Sequence, residues 1–265
     1  MQSLKLSASG PDVVRLQKQL QKRGFSPGNI DGDFGPGTEA AVRAFQHSEG
    51  LLVDGVAGHR TLTALGLTDE APPSVLAAVT TQTVSRMFPF TPIGNIKANL
   101  PPMLAGLEAF ALTDRYMVLT ALATIRAETE SFEPVAEGRS IYNTSPNGHP
   151  FDLYDRRRDL GNRRAPDGER YRGRGYVQLT GRDNYARYGR QLGIRLLENP
   201  ELASEPGNAG RILAAFLKDK EHIIKTALVE DDLRAARRAV NGGSHGLDRF
   251  TDAYRRGLAL IPAGG

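Results

Sequence analysis

Residues 172–185 read RGRGYVQLTGRDNY, and this stretch decides how the long C-terminal part of the chain is interpreted. Glycines such as Gly173 carry no side chain and allow the backbone to approach a ligand closely. Near these glycines, Gln178, Thr180 and Asn184 place short, uncharged groups that can hydrogen-bond to a ligand. The stretch therefore predicts a neutral polar strip on which a ligand lies close to the backbone.

A cluster of carboxylates precedes this strip, with members Glu128, Glu130, Glu133 and Glu137. Glu128 lies at the end of a predicted amphipathic helix, whose apolar face would shield the carboxyl and favour the protonated form of a general acid. Glu137 lies in a segment that can fold back toward this helix end. An inverting sugar-cleaving cleft needs two carboxyl groups roughly 6.5–9.5 Å apart, with room for a water. The cluster is compatible with a glycosidase, in which Glu130 and Glu133 compete for either role, but taken alone it favours four solvated surface glutamates.

The composition excludes several other chemistries. The chain has 265 residues, enough for two domains, and it has no cysteine, which excludes thiol nucleophiles, thiolate metal sites and disulfides. Its five histidines show no H-E-x-x-H spacing, and no Gly-x-Ser-x-Gly elbow is present. We expect no metal and no cofactor. The formal net charge of +4 and the pI of about 9.4 suit an anionic polymer, but they could equally serve solubility.

Targeting signals and nucleic-acid motifs are both missing from the sequence. Residues 1–6 lack the apolar core of a signal peptide, and no apolar run is long enough to span a bilayer, so we expect no membrane insertion. Eight arginines between positions 156 and 174 could attract an anionic polymer, but most are expected to pair with neighbouring acids. No recognisable nucleic-acid-binding motif accompanies them, and no nucleic-acid partner is expected.

An internal repeat marks a small first domain. Residues 31–38 read DGDFGPGT and residues 54–61 read DGVAGHRT, so both follow the pattern D-G-x-x-G-x-x-T. Asp-Gly favours a tight turn with positive φ at the glycine, and the threonine can cap a following helix. With an upstream helix capped by Asp12, the pattern predicts a compact three-helix unit over residues 1–67. Residues 68–82 contain Pro-Pro and are expected to form a linker.

The remaining residues, 83–265, are expected to form a mostly helical second domain, since no run of alternating strands is present. The class is therefore all-α, with room for a small hairpin near residues 171–180. The predicted helices are a short one capped by Thr83, one over 97–110 with Pro101-Pro102 near its start, a strong amphipathic one from Thr113-Asp114 to Arg126, and further ones over 184–192, 209–220, 222–229, 233–240 and 250–260.

The first unit closely resembles the peptidoglycan-binding domain found beside many wall hydrolases. The resemblance implies a wall-anchoring module without catalysis, in which most matching residues are caps, turns and core, and Gln46 and Asp33 are candidate ligand contacts. The matching residues are Gly10, Asp12, Val13, Leu16, Gln17, Leu20, Gly24, Asp31-Gly32, Phe34-Gly35, Thr38, Ala41-Val42, Phe45-Gln46, Leu51, Asp54-Gly55, Gly58 and Thr61.

Residues 83–262 resemble glycoside hydrolase family 19, the lysozyme-like fold shared by chitinases and many phage endolysins. The segments that carry the resemblance are GRGYVQLTG at 173–181 with Asn184-Tyr185, DLGN at 159–162 with Asp167-Gly168, and VNGG at 240–243. The family's His-Glu-Ser/Thr-Gly-Gly motif corresponds here to Ala127-Glu128-Thr129-Glu130-Ser131, so the acid is kept while the histidine and both glycines are replaced.

This second resemblance implies roles for individual residues. Glu128 would be the general acid and Glu137 the general base, with Thr180 helping Glu137 to hold the attacking water. Asn184 and Asn241 could equally be helix caps or turn formers. The implied substrate-binding residues are Gln178, Asn184, Asn241, Arg249 and Tyr142.

Together the two resemblances imply a modular phage or prophage endolysin that acts on bacterial peptidoglycan as a monomer. The expected reaction is inverting hydrolysis of a β-1,4 bond in the glycan strand, as an N-acetylmuramidase. The protein would be made in the host cytoplasm and reach the wall in the periplasm after release through a holin. Two alternatives stay open: a chitinase acting on an N-acetylglucosamine polymer, and a non-catalytic wall-binding protein that kept the fold.

Overall fold

The computed structural model describes residues 3–68, 74–243 and 245–262. Over these ranges the chain divides into two compact units. The first contains residues up to 74 together with 222–236, and the second contains residues 75–221 and those from 237 onward. The described residues form helices and isolated β-bridges but no strand, which confirms the predicted all-α class. None of their helices combines the length and the apolar character needed to cross a bilayer.

Eleven of the twelve α-helices in the described ranges match predicted helices in approximate position, and the short α7 was not predicted. In chain order they are α1 (Pro11–Lys22), α2 (Pro36–Ser48), α3 (His59–Ala64), α4 (Thr81–Met87), α5 (Ile93–Ala109), α6 (Arg115–Glu128), α7 (Asp167–Arg170), α8 (Arg182–Leu192), α9 (Pro206–Lys218), α10 (Glu221–Val229), α11 (Leu233–Asn241) and α12 (Leu247–Leu260).

The first copy of the repeat folds around a buried glutamine in α1. Gln17 Nε2 donates to Asp31 Oδ1 at 2.9 Å and to Thr38 Oγ1 at 3.2 Å, and Gln17 Oε1 accepts from the Gly32 amide at 3.0 Å. Gly32 has φ of 82°, as the Asp-Gly turn predicts. The predicted cap at Thr38 is wrong, because α2 begins before it, at Pro36, and the hydroxyl binds the glutamine instead.

The second copy repeats this arrangement around Gln46 in α2. Gln46 Nε2 donates to Asp54 Oδ1 at 2.8 Å and to Thr61 Oγ1 at 3.1 Å, while Gln46 Oε1 accepts from the Gly55 amide at 3.0 Å. Only 1% of Gln46 is exposed, so its amide is consumed inside the fold and is not presented to a ligand. The suggestion that Gln46 contacts a ligand is therefore wrong, and Thr61 is likewise a partner of the glutamine rather than a cap.

The second unit is built around α6, which is buried from Met117 to Ala127. A helix buried on all sides is expected at the centre of a bundle, and α6 packs against α12 while α5 packs against α9. Asp114 caps α6 as predicted, because its side chain accepts from the Met117 amide at 3.2 Å. At its other end α6 stops at Glu128, so this carboxylate lies where the buried central helix reaches the surface.

Two predicted helix starts in this unit differ from the structure. Thr80, not Thr83, caps α4, and the Thr83 hydroxyl donates to the Ala78 carbonyl at 3.1 Å instead. Helix α5 begins at Ile93, so Pro101 and Pro102 lie in its interior rather than at its start. Each proline removes one intrahelical hydrogen bond, and the packing of α5 on its neighbours keeps the helix continuous.

Two glycines allow α5 and α9 to approach at backbone distance. A Cβ on Gly210 would lie 2.7 Å from the Pro102 carbonyl oxygen, and a Cβ on Gly106 would lie 2.5 Å from the Gly210 carbonyl carbon. We expect Gly210→Ala to lower the free energy of unfolding by about 1–3 kcal/mol, because the helices must separate. Gly207→Ala, on the same helix with nothing within 4 Å, is the control and should be neutral or stabilising. Equal chemical-denaturation midpoints for the two variants would contradict the prediction.

The strip at residues 172–185 forms a single-pair hairpin and a bridge to the segment that carries Glu137. Arg174 and Leu179 exchange backbone hydrogen bonds of 3.2 and 2.9 Å, in agreement with the small hairpin predicted there. On the other side, the Glu137 amide donates to the Gly173 carbonyl at 2.8 Å. This pairing returns the segment after α6 to the strip, as the expected folding back of Glu137 requires.

Part of the predicted linker is packed rather than extended. Val75 and Val79 are buried, and the Val75 amide donates to the Thr113 carbonyl at 2.9 Å, so residues 75–82 belong to the second unit. Pro72-Pro73 lies outside the described residues. The boundaries 1–67, 68–82 and 83–265 stay a prediction.

Candidate active site

Glu128 is held by a buried arginine from α11. Arg237 Nη2 lies 2.6 Å from Glu128 Oε1, with the arginine side chain 0% exposed and the glutamate side chain 17% exposed. Arg237 Nε and Nη2 also donate to the His245 carbonyl at 3.0 and 2.9 Å, which fixes the guanidinium plane. The sequence predicted partial shielding of Glu128 by the apolar helix face, and the structure places a buried cation on one side of the carboxylate as well.

On its other side Glu128 opens onto a cavity of about 500 Å³. The cavity collects side chains from several separate parts of the second unit, including the polar strip and the VNGG segment. Its lining residues are Thr124, Glu128, Val177, Gln178, Phe216, Lys220, Val240, Asn241 and Gly242. Three residues that the sequence assigned to the site, Glu128, Gln178 and Asn241, are thus brought together.

Three hydrogen-bond donors hold the second candidate carboxylate, Glu137. Its Oε1 accepts from Asn143 Nδ2 and from the Tyr154 hydroxyl, each at 3.0 Å, and its Oε2 accepts from the Gly173 amide at 3.2 Å. Burial, followed by the charge of Glu137, raises the pKa of Tyr154 to about 12, so this hydroxyl stays a donor at neutral pH. Donors on both oxygens stabilise the ionised carboxylate.

Gly173 is the point where three functional oxygens converge. A Cβ at this position would lie 2.8 Å from Gln178 Oε1 and 3.2 Å from both Glu137 Oε2 and Thr180 Oγ1. The absence of a side chain at Gly173 is what permits this convergence. Thr180 donates its own hydroxyl hydrogen to the Gln178 carbonyl at 2.7 Å, which leaves the Thr180 oxygen free to accept.

The two candidate asparagines both make local hydrogen bonds. Asn184 is exposed, and its Nδ2 donates to the Thr180 carbonyl at 2.8 Å, which anchors the first turn of α8 beside the strip. Asn241 ends α11, and its Oδ1 accepts from the Gly243 amide at 3.1 Å. Both therefore make the local contacts expected of helix caps or turn formers, the alternative to substrate binding. Asn241 also lines the cavity.

Arg249 and Tyr142 form no hydrogen bond to Glu128 or Glu137 in the described structure. Arg249 pairs with Glu130 at 3.3 Å, and both side chains are about two-fifths exposed. Such exposed pairs contribute little to stability. Glu130, which competes with Glu128 in the sequence analysis, is thus paired with Arg249. Tyr142 is 82% exposed, one residue before the Asn143 that binds Glu137. Its ring is available to a ligand at the edge of the Glu137 loop.

The arginine-rich loop is stabilised mostly through the main chain. Arg174 is buried and donates to the Arg170 carbonyl and to the Tyr185 hydroxyl, each at 2.8 Å. Arg172 donates to the Glu169 carbonyl at 3.0 Å, whereas Arg157 forms an ion pair with Asp159. The expected pairing with acids thus holds for Arg157, but carbonyls satisfy Arg172 and Arg174.

Four residues of the site were not found from the sequence: Arg237, Asn143, Tyr154 and Lys220. The one available signal was position, since Arg237 and Lys220 precede the VNGG segment and Asn143 follows Glu137 closely. Many arginines and lysines share such positions, so the pattern alone did not select these two. Across the described ranges, no group of three or more His, Asp or Glu side chains is arranged to hold a metal ion.

Comparison with known proteins separates the two parts of the chain. Residues 9–65 match the family model of the peptidoglycan binding domain. The spore cortex-lytic enzyme of Bacillus cereus is 50% identical over 60 residues, which are 23% of this chain and 23% of that enzyme. The chain thus spans about a quarter of that relative's length. The first unit therefore contains a domain of the peptidoglycan-binding type.

The second part is similar to a family 19 protein and to a chitinase. A glycosyl hydrolase family 19 domain-containing protein of Haemophilus influenzae is 33% identical over 104 residues, which are 39% of this chain and 48% of that protein. Chitinase C of Streptomyces griseus superposes with a TM-score of 0.50 at 20% identity, covering 76% of this chain and 85% of the chitinase. At that identity the superposition shows a shared fold. The chain thus contains a domain of the peptidoglycan-binding type, shares the fold of the chitinase, and is similar over part of its length to a family 19 domain-containing protein.

Proposed function

We propose that this chain is a peptidoglycan hydrolase that anchors to the wall through its first unit and cleaves a β-1,4 bond of the glycan strand with its second. The observation that carries the proposal is the convergence of Glu137, Thr180 and Gln178 over Gly173, while Gln178 also lines the cavity of Glu128. The peptidoglycan-binding match and the family 19 similarity support the substrate class and the reaction type.

The general acid in this mechanism is Glu128. Arg237 occupies Oε1, whereas Oε2 has no hydrogen-bond partner among the described residues and is the oxygen left for a proton. Protonated Oε2 gives its proton to the glycosidic oxygen as the bond to the sugar carbon breaks. Arg237 then stabilises the carboxylate that remains, so its charge favours the products of proton transfer.

The general base is Glu137, acting on a water held between its carboxylate and Thr180. Because Thr180 already donates to the Gln178 carbonyl, its oxygen accepts one hydrogen of the water. Glu137 accepts the other as the water oxygen attacks the anomeric carbon. The two carboxylates share no hydrogen-bond donor in the described structure. Separate supports of this kind suit the two distinct roles of an inverting pair.

Gly173→Ala tests the convergence of oxygens directly. The new methyl group would lie 2.8 Å from Gln178 Oε1, which must move, and 3.2 Å from both Glu137 Oε2 and Thr180 Oγ1, which it would crowd. Misplacement of about 1 Å at a reacting centre can lower a rate roughly 100-fold, and we expect a loss of that order in the release of reducing ends. Gly94→Ala, where a Cβ meets nothing within 4 Å, is the control. A wild-type rate for Gly173→Ala would contradict the proposed water site.

The decisive experiment is mass spectrometry of reduced products after digestion of purified Gram-negative peptidoglycan. New reducing N-acetylmuramic acid ends identify an N-acetylmuramidase, the activity we propose, and reducing N-acetylglucosamine ends identify a glucosaminidase. Proton NMR of fresh products tests inversion, since the α-anomer must appear first. No new reducing end from folded protein that binds the wall refutes the hydrolase proposal.

A chitinase is the second candidate, favoured by the superposition on chitinase C. Digestion of an N-acetylglucosamine hexamer beside peptidoglycan separates the two. A higher kcat/KM on the hexamer than on glycan strands of similar length would favour the chitinase.

Wall binding and the biological setting are separate parts of the proposal. Full-length Glu128→Gln protein should sediment with purified peptidoglycan and should migrate as a monomer in its absence. We infer that the protein acts in the periplasm of a host cell after release through a holin, as the modular endolysin resemblance implies. Added from outside, it should then lyse permeabilised Gram-negative cells but not intact ones; equal lysis of both would contradict this setting.

A further inference from the structure

Lys220 brings a positive charge into the cavity of Glu128. It follows α9 and lies with Nζ 3.8 Å from the centre of the Phe216 ring. Nζ also donates to the Val240 carbonyl at 3.2 Å. The aromatic ring and the carbonyl hold the ammonium in place, and the cavity lies beside it. Among the described residues that line this cavity, Lys220 alone is cationic.

The ammonium of Lys220 forms no ion pair in the described structure, although the charge of the adjacent Asp219 acts on it at a distance and opposes the lowering of its pKa. No carboxylate lies within 4 Å of Nζ, and the adjacent Asp219 is occupied by Arg187 at 2.8 Å and by the Tyr188 hydroxyl at 2.9 Å. The nearest acid lining the cavity, Glu128, is paired with Arg237. Burial lowers the pKa of Lys220, which records the incomplete solvation of its charge. An anion entering the cavity would therefore give the ammonium a direct ion pair, which the nearby acids do not provide because they are paired with other cations.

The two candidate polymers differ in their charge. A polymer of N-acetylglucosamine carries only hydroxyl and acetamido groups, for which Gln178 and Asn241 are suitable neutral partners. A peptidoglycan strand also carries lactyl ethers on its muramic acid residues. Each lactyl group ends in a carboxylate or is extended by a stem peptide that has carboxylates of its own.

We propose that Lys220 binds a carboxylate of the muramoyl residues and so selects peptidoglycan over uncharged N-acetylglucosamine polymers. This inference rests on the proposed function and names what distinguishes its substrate. Lys220 has three N–H donors, of which Val240 takes one, so the ammonium can reach a carboxylate without leaving the ring of Phe216.

The test compares ligands of equal length by calorimetry with Glu128→Gln protein, which binds without cleaving. The ligands are chitotetraose, a tetrasaccharide of alternating N-acetylglucosamine and N-acetylmuramic acid with free lactyl carboxylates, and the same tetrasaccharide with L-alanyl-D-glutamate on each lactyl group. Lys220→Met is added because methionine keeps an unbranched stem against Phe216 and removes the charge. Lys220→Arg restores a charge, and Lys218→Met removes an exposed lysine that pairs with Glu221 outside the cavity.

We expect Lys220→Met to weaken binding of a carboxylate-bearing tetrasaccharide by about ten-fold more than binding of chitotetraose. Lys220→Arg should recover part of the loss, and Lys218→Met should change none of the three affinities. A loss confined to the free lactyl ligand assigns the lactyl carboxylate, and a loss confined to the dipeptide ligand assigns the stem peptide.

Three outcomes would overturn the inference: equal losses for all three ligands, no loss for any, or no measurable binding of either charged ligand. The proposed function fails separately. If peptidoglycan yields no new reducing ends while Lys220→Met still loses the charged ligand, the hydrolase proposal is wrong and the carboxylate site stands. If digestion proceeds and Lys220→Met has no selective effect, only the inference about Lys220 is wrong.

Discussion

We expect Glu128→Gln to lower the rate of glycan cleavage by roughly 10²–10⁴-fold, the usual contribution of a general acid. Glutamine has no proton to give to the glycosidic oxygen, yet its carbonyl can still accept from Arg237, which lies 2.6 Å from Glu128 Oε1. The variant should therefore fold and bind the wall while turnover is lost. The measurement is the rate of reducing-end release from purified peptidoglycan, with thermal unfolding recorded in parallel.

Glu133→Gln is the matched control for Glu128. Glu133 belongs to the same cluster of carboxylates, is exposed, and makes no side-chain hydrogen bond in the described ranges. It should keep a near wild-type rate. If Glu133→Gln loses activity and Glu128→Gln keeps it, the acid has been assigned to the wrong glutamate. If neither variant loses activity, the cavity of Glu128 is not the reaction site.

Glu137→Gln is expected to cause a loss of similar size, roughly 10²–10⁴-fold, because a neutral amide cannot accept a proton from water. Its environment adds a second effect. Asn143, Tyr154 and the Gly173 amide all donate to the carboxylate, so the amide NH₂ of glutamine must face at least one donor. An unmet donor of this kind costs about 1–3 kcal/mol, and a lower unfolding midpoint should accompany the lost rate.

Azide separates the base from the acid. In Glu137→Ala protein, azide can attack the anomeric carbon without losing a proton, so added azide should restore turnover and yield an inverted glycosyl azide. Glu128→Gln should gain nothing from azide, because its missing step is protonation of the leaving oxygen. Near wild-type activity of Glu137→Gln, or azide rescue of Glu128→Gln alone, would contradict the assigned roles.

Local physics determined the features that the sequence shows on its own. The Asp-Gly pairs require positive φ, and Gly32 and Gly55 adopt it. Apolar periodicity and the Asp114 cap define α6, and its last residue is Glu128. These interactions act within a few residues, so the pattern that predicts them is complete in a short window. The all-α class and the internal repeat of the first unit follow from such windows, whereas wall binding was implied by the family resemblance.

Only the tertiary structure decided which groups contact each carboxylate. The family resemblance implied Arg249 as a substrate-binding residue. In the structure Arg249 pairs with Glu130, and Arg237 is the arginine that reaches Glu128. The choice depends on which face of α11 turns inward, and packing, not residue type, sets that face. Lys220 could not be identified from the sequence for the same reason. It reaches the cavity because the end of α9 lies beside α11, where Lys220 donates to the Val240 carbonyl. The sequence gives the charged residues that are available to a site, and the packing of the helices determines which of them reach it.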